Sequence, residues 1–273
     1  MFSQRTLDRW SFFLDVFLVL AGLLTFVVWF WGKGFFYSET SPVMSPFTSL
    51  SLMLMAASRF AEKVVETWSK PMTLAILGIV ACGNISSIAM LMAVPRLFLQ
   101  AMPGVVPTSI MTSIGLVLFC FYEILVIIRP TPKSAFIMDD VLLHLALFPG
   151  GLSLLGHVLD IPTYKSSFVD PRAGIGPMEM LFMGTYAVVA VISNQHLFLW
   201  RFLVESFRNR VTFVLLFLNQ YIAPIIVGLW VVDVAQSPRT PGIEFFVMLA
   251  GVLATLIFLF IQAYTRSDKL KKA

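Results

Sequence analysis

The chain has 273 residues, of which 58% are hydrophobic and 12% charged, and its mean hydropathy is +0.88. A soluble domain carries roughly 25% charged residues, so this chain has too few charges to cover a water-facing surface, and lipid must cover most of it. The net charge of +4 does not point to nucleic acid, because the charges fall in short clusters between apolar runs, as membrane orientation demands.

Crossing ~30 Å of hydrocarbon takes about 20 apolar residues, and eight runs fit. The first, 11–31, follows Arg5 and Arg9 and ends in bulky Phe26 to Trp31. A secretory leader would end in small residues, so this run is expected to stay as a helix. The second, 46–61, is short and becomes amphipathic toward Arg59, Glu62, Lys63 and Glu66. The third, 71–94, carries Cys82, Asn84, Ser86 and Ser87, and the fourth, 108–128, carries Cys120 and Glu123. The fifth, 141–159, contains Pro149-Gly150-Gly151, which should kink it and free backbone carbonyls. The sixth, 177–200, has Glu179 near its start and Asn194-Gln195-His196 near its end. The seventh, 211–234, contains Asn219-Gln220-Tyr221 and a second internal proline, Pro224. The eighth is 243–264. The expected architecture is an all-α integral membrane protein, one eight-helix bundle over 1–273. Both cysteines lie in apolar runs, so no disulfide framework and no metal cluster is implied.

Fourteen of the 19 Lys and Arg residues fall on one side if the N-terminus is inside, among them Arg5, Arg9, Lys63, Arg129, Arg201, Arg210 and Lys269. Only Lys33, Arg96, Lys165, Arg172 and Arg239 fall on the other. The positive-inside rule then puts both termini in the cytoplasm, with the bacterial inner membrane as the expected location. Trp29 and Trp31 at one edge, and Trp10, Trp68 and Trp200 at the other, suit the two interfaces.

Three helices entering from outside begin alike: Ser45-Pro46-Phe47-Thr48, Val106-Pro107-Thr108-Ser109 and Gly176-Pro177-Met178-Glu179, with prolines 61 and 70 residues apart. Proline suits a first helical position, where its missing N–H would be unpaired anyway. The three are either independent helix starts or a repeated hairpin, and repeats of that kind often carry a site at their interface. Met44-Ser45-Pro46-Phe47-Thr48-Ser49-Leu50-Ser51-Leu52-Met53-Leu54 resembles the start of multi-helix bacterial membrane sensor regions that precede diguanylate cyclase or histidine kinase domains. Leu154-Leu155-Gly156 followed by Gly176-Pro177 is similar to the same hairpin. The resemblance implies ligand sensing, with signalling through a separate protein, because only Thr265 to Ala273 follow the last run.

Ionisable groups within a span are costly and are functional candidates by default. Asp15, Glu123, His144 and His196 share one depth in the inner third and are expected to be able to meet as a polar cluster. Alternatively each faces the headgroups by snorkelling. His144 and His196 could also hold a haem between two helices. At the outer edge, His157, Asp160 and Glu179 stand beside three loops rich in apolar residues, including Phe36, Phe98 and Phe168. Those loops are expected to fold inward over an apolar pocket suited to a lipid-like or quinone-like ligand or a partner helix. Glu179 would equally be explained by its helix N-terminus. No P-loop, GxSxG, HExxH or Rossmann glycine pattern is present, so no catalytic residue is assigned. The sequence reading is a non-enzymatic membrane sensor or accessory module acting through a protein partner in the membrane or cytoplasm. A structural subunit of a larger complex and a small ion-coupled transporter are the alternatives.

Overall fold

The computed structural model describes residues 4–31, 43–65, 67–94, 106–129, 137–161, 164, 174–194, 196–235 and 242–272. These form nine helices and no strand: α1 (Gln4–Phe30), α2 (Pro46–Val64), α3 (Lys70–Ala93), α4 (Ile110–Ile128), α5 (Ile137–Leu159), α6 (Pro177–Ser193), α7 (Phe198–Glu205), α8 (Phe207–Ala235) and α9 (Ile243–Lys272). Among them, α1, α3, α4, α5, α8 and α9 are long and apolar enough to cross a membrane. The chain is therefore an all-helical, multi-pass membrane protein.

The remaining two expected spans take a different form. Residues 177–200 divide into α6 and α7, which meet at a bend of 74° and together could make a seventh crossing. The second run, α2, is not among the apolar six. Its buried positions explain why: Thr48, Ser49, Ser51, Ser58 and Arg59 all face protein. A helix enclosed by α1, α3, α4 and α6 needs no lipid-facing apolar surface. Helical structure also runs unbroken through Pro149 in α5 and Pro224 in α8, since neighbouring groups in a membrane bundle can satisfy the carbonyl that a proline frees.

The helices form two lobes that share α5. In the first, α1, α2, α3, α4, α5 and α6 enclose a core that includes Leu18, Leu52, Met55, Leu116, Phe119, Phe182 and Tyr186. In the second, α8 and α9 pair with each other and lean on α5 and α7. Leu152, Leu155, Leu159 and Met248 make one core there, and Phe198, Phe202 and Leu259 another. Close approach in the second lobe depends on glycine. A Cβ on Gly251 would stand 2.9 Å from the Cα and Cβ of Gln220, and one on Gly228 would collide with the Leu159 side chain.

Candidate functional site

The three proline-started ends come together. Ser45, the N-cap of α2, donates its hydroxyl to the Val106 carbonyl at 2.9 Å and accepts from Thr108 at 3.2 Å. Thr48 donates to Thr108 at 3.5 Å. Ser109 caps α4 by accepting from the Thr112 amide at 2.9 Å. Glu179, fully buried, accepts from the Gly176 amide at 3.2 Å and the Thr112 hydroxyl at 3.4 Å. Three helix N-termini thus surround one carboxylate. Their partial positive charge and free N–H groups are what a buried anion requires. Val43 and Val106 pack with Trp29 above this layer, and the Trp29 indole donates to the Met44 carbonyl at 2.8 Å.

His157 and Ser153 serve the same layer. The Ser153 hydroxyl donates to the Ile175 carbonyl at 2.7 Å, and His157 Nε2 lies 3.1 Å from that oxygen. Both hold the chain entering α6. Asp160 is exposed and adopts a left-handed φ of 56° just past the end of α5. Phe36, Phe98 and Phe168 lie outside the described residues.

Roughly 16 Å further along α2 and α4, eleven residues at 1.5 Å each, Arg59 joins Asp15 to Glu123. Its Nη2 donates to Asp15 Oδ1 at 2.8 Å and its Nη1 to Glu123 Oε1 at 2.9 Å. The guanidinium lies 4.0 Å over the Tyr186 ring, whose hydroxyl donates to the same Glu123 oxygen at 2.9 Å. Lys63 Nζ donates to Asp15 Oδ2 and to Ser11, both at 2.7 Å, and Ser11 meets Ser193 at 2.6 Å. Two cations and two carboxylates therefore cancel, and the network ties α1, α2, α4 and α6 together.

So Asp15 and Glu123 share a cluster, but through Arg59 rather than a histidine. His144 sits elsewhere, with Nε2 3.1 Å from Gln220 Oε1, which also accepts from Thr255 at 3.2 Å. His196 is exposed, its backbone N–H bonded to Asn194 Oδ1. No described hydrogen bond links either histidine to Asp15 or Glu123. Among the described residues, no group of three or more His, Cys, Asp or Glu could hold a metal ion.

Between the lobes, α5, α6, α7, α8 and α9 leave a groove of about 630 Å³. Its walls are almost wholly apolar, including Leu143, Leu147, Met183, Val188 and Leu203, and small residues Gly150, Gly184 and Ala187 open it. Asp140, His144 and Tyr221 are its polar members. Asp140 is already engaged, since its two oxygens accept from the Phe198 and Leu199 amides at 3.0 and 2.9 Å and cap α7 from outside. Sequence reasoning found His144 but not the groove, and treated Arg59 and Lys63 only as orienting charges. One signal was available: Thr48, Ser51, Arg59 and Lys63 fall at helical spacing on one face of α2, interrupted by Met55, and so mark a largely polar stripe. The chain matches no protein-family model, no curated protein and no solved structure.

Proposed function

We propose that this protein is a non-enzymatic sensor or accessory module of the bacterial inner membrane. It binds a hydrophobic ligand in the groove between its lobes and passes the change to a protein partner. The groove carries the reading. Ligand sites are concave, mostly apolar, about 300–1,000 Å³ and marked by a few placed polar groups, and this one has a volume of about 630 Å³ with His144 and Tyr221 in its wall. It is bounded by elements from both lobes, so filling it biases how α8 and α9 sit against α5 and α6.

Eight crossings with both ends cytoplasmic fit this reading. The bent pair α6–α7 supplies one. The other is α2, whose 19 residues reach about 28 Å from the Glu179 layer past the Arg59 network. The Lys and Arg distribution then orients the bundle.

The test fills the groove. A Cβ on Gly184 meets nothing within 4 Å and Gly184 lines the groove, so Gly184→Leu is the variant chosen to take up groove volume. Wild-type protein purified gently from native membranes should carry a neutral lipid-class molecule, detected by mass spectrometry, along with its protein partner. The variant should lose the molecule while keeping its elution volume. Equal recovery of the molecule from both proteins would show that the groove is not the site.

A further inference from the structure

We infer that the groove takes an amphiphile whose head is an uncharged hydroxylated aromatic ring, a phenol or hydroquinone, on an alkyl or prenyl tail. This rests on the groove being a ligand site and adds the chemistry of the ligand.

Four observations point to it. First, Phe213, Phe217 and Tyr221 recur every fourth residue along α8 and all line the groove. Their ring centroids are 5.8 and 5.2 Å apart, so they make a continuous aromatic wall. A flexible acyl chain gains nothing special from such a wall, whereas a planar ring stacks on it. The Tyr221 ring also lies where a Cβ on Gly151 would be, which is how that ring reaches the groove.

Second, His144 stands at one end of this wall, 6.2 Å from the Phe217 ring. With the Gln220 amide oriented so that its Oε1 accepts from both Thr255 and His144, the hydrogen of the shared bond is on His144 Nε2. Nδ1 is then the acceptor of the imidazole, and a ligand hydroxyl is its natural partner.

Third, among the described residues no Lys or Arg lines the groove, and both oxygens of the carboxylate that does, Asp140, accept from α7 amides. A phosphate or fatty-acid head would find no counter-charge there and would meet Asp140. An uncharged head avoids both penalties.

Fourth, His144 is three residues into the expected span 141–159, roughly 5 Å inside the hydrocarbon edge, where an uncharged head costs less than a charged one.

The experiment uses full-length protein in phosphatidylcholine nanodiscs and two photoreactive probes, a diazirine-tailed hydroquinone and diazirine-tailed palmitate. The hydroquinone should label peptides within 180–192 or 213–221 and be displaced by unlabelled decyl hydroquinone. His144→Phe should weaken labelling about tenfold, the loss of one hydrogen bond in an apolar site. Gly184→Leu leaves the His144–Gln220 pair intact and should abolish labelling, so the test survives if His144→Phe fails to fold. If palmitate labels the groove and hydroquinone does not displace it, the groove reading stands and the ring head is wrong. Hydroquinone labelling that is unchanged in a folded His144→Phe protein also refutes the head assignment. If neither probe labels, or if crosslinks show a second copy or a partner helix seated there, both the head and the groove reading fall.

Discussion

Replacing Arg59 with leucine leaves Asp15 and Glu123 inside the bundle with their main counter-charge gone. The two bonds lost are charge-assisted, at 2.8 and 2.9 Å, between groups whose side chains are 8%, 0% and 10% exposed. Hydrogen bonds to charged groups contribute about 1.5–3 kcal/mol each, and removing one member of a buried ion pair costs about 3–5 kcal/mol. Lys63 still faces Asp15, so the larger share of the loss comes from Glu123. Arg59→Leu should therefore destabilise the fold by about 3–5 kcal/mol. The double variant Arg59→Leu with Glu123→Leu removes both unpaired charges and leaves a one-to-one Asp15–Lys63 pair. It should cost less than Arg59→Leu alone, with a coupling of about 2–3 kcal/mol. Cys120 provides the assay, being fully buried beside Met55 whereas Cys82 is exposed. In a Cys82→Ser background, thiol labelling in mild detergent reports opening of the first lobe. When reclosing outpaces labelling, the rate follows the opening equilibrium, so Arg59→Leu should speed it by roughly a hundredfold or more. A rate within twofold of the parent would show that the carboxylates find other partners. A double variant as damaged as the sum of its singles would show that the pair is not coupled.

Glu179→Ala should cost about 1–3 kcal/mol in the same assay, since it strands the buried Gly176 amide, whereas the Thr112 hydroxyl keeps Ser109 as a partner. Glu179→Gln should cost about 1–2 kcal/mol, because it keeps an acceptor but loses the charge that three helix ends favour. Gly251→Ala forces α9 away from the Gln220 backbone and should lower the thermal midpoint in detergent, at a cost of about 1–3 kcal/mol; an unchanged midpoint would mean the second lobe repacks freely. A phosphatase fused after Ala273 should be inactive and a fluorescent protein bright, and the opposite pattern overturns the eight-crossing topology.

The helical, membrane-embedded class was legible because a span must be apolar where it meets lipid, and α1, α3, α4, α5, α8 and α9 obey that rule. The three similar helix starts were legible too: Ser45, Val106 and Gly176 announce them, and all three contribute to the Glu179 layer. Pairing between polar residues was not. Depth along a helix follows from residue count, but facing direction requires knowing the neighbours. Asp15, Glu123, His144 and His196 were therefore grouped by depth, whereas the first two meet Arg59 and His144 meets Gln220 on another helix. Arg59 was hidden by its position, three residues from Glu62 and four from Lys63, where a basic residue reads as a flank. The groove is a property of how two lobes meet, and the local spacing of Phe213, Phe217 and Tyr221 looks the same on a core face as on a ligand wall.

The distribution of polar contacts explains why a ligand site would fall between the lobes rather than within the first. In the first lobe, α2 is bonded to α1, α3 and α4 through Asp15, Asn84, Glu123 and the Ser45–Thr108 layer, and its Arg59 stacks on Tyr186 of α6. Opening it would strand charges in a medium that cannot solvate them. Across the groove, side chains meet through Leu, Met, Val and Phe, and the direct polar links between the first lobe and α8–α9 include the His144–Gln220 bond. Apolar side chains lose little when lipid or a lipid-like molecule replaces a protein neighbour, because there is no hydrophobic penalty inside a bilayer. The seam is thus where separation would cost the least free energy, which is what the proposed ligand site requires; in that proposal the His144–Gln220 contact couples an occupant to α8.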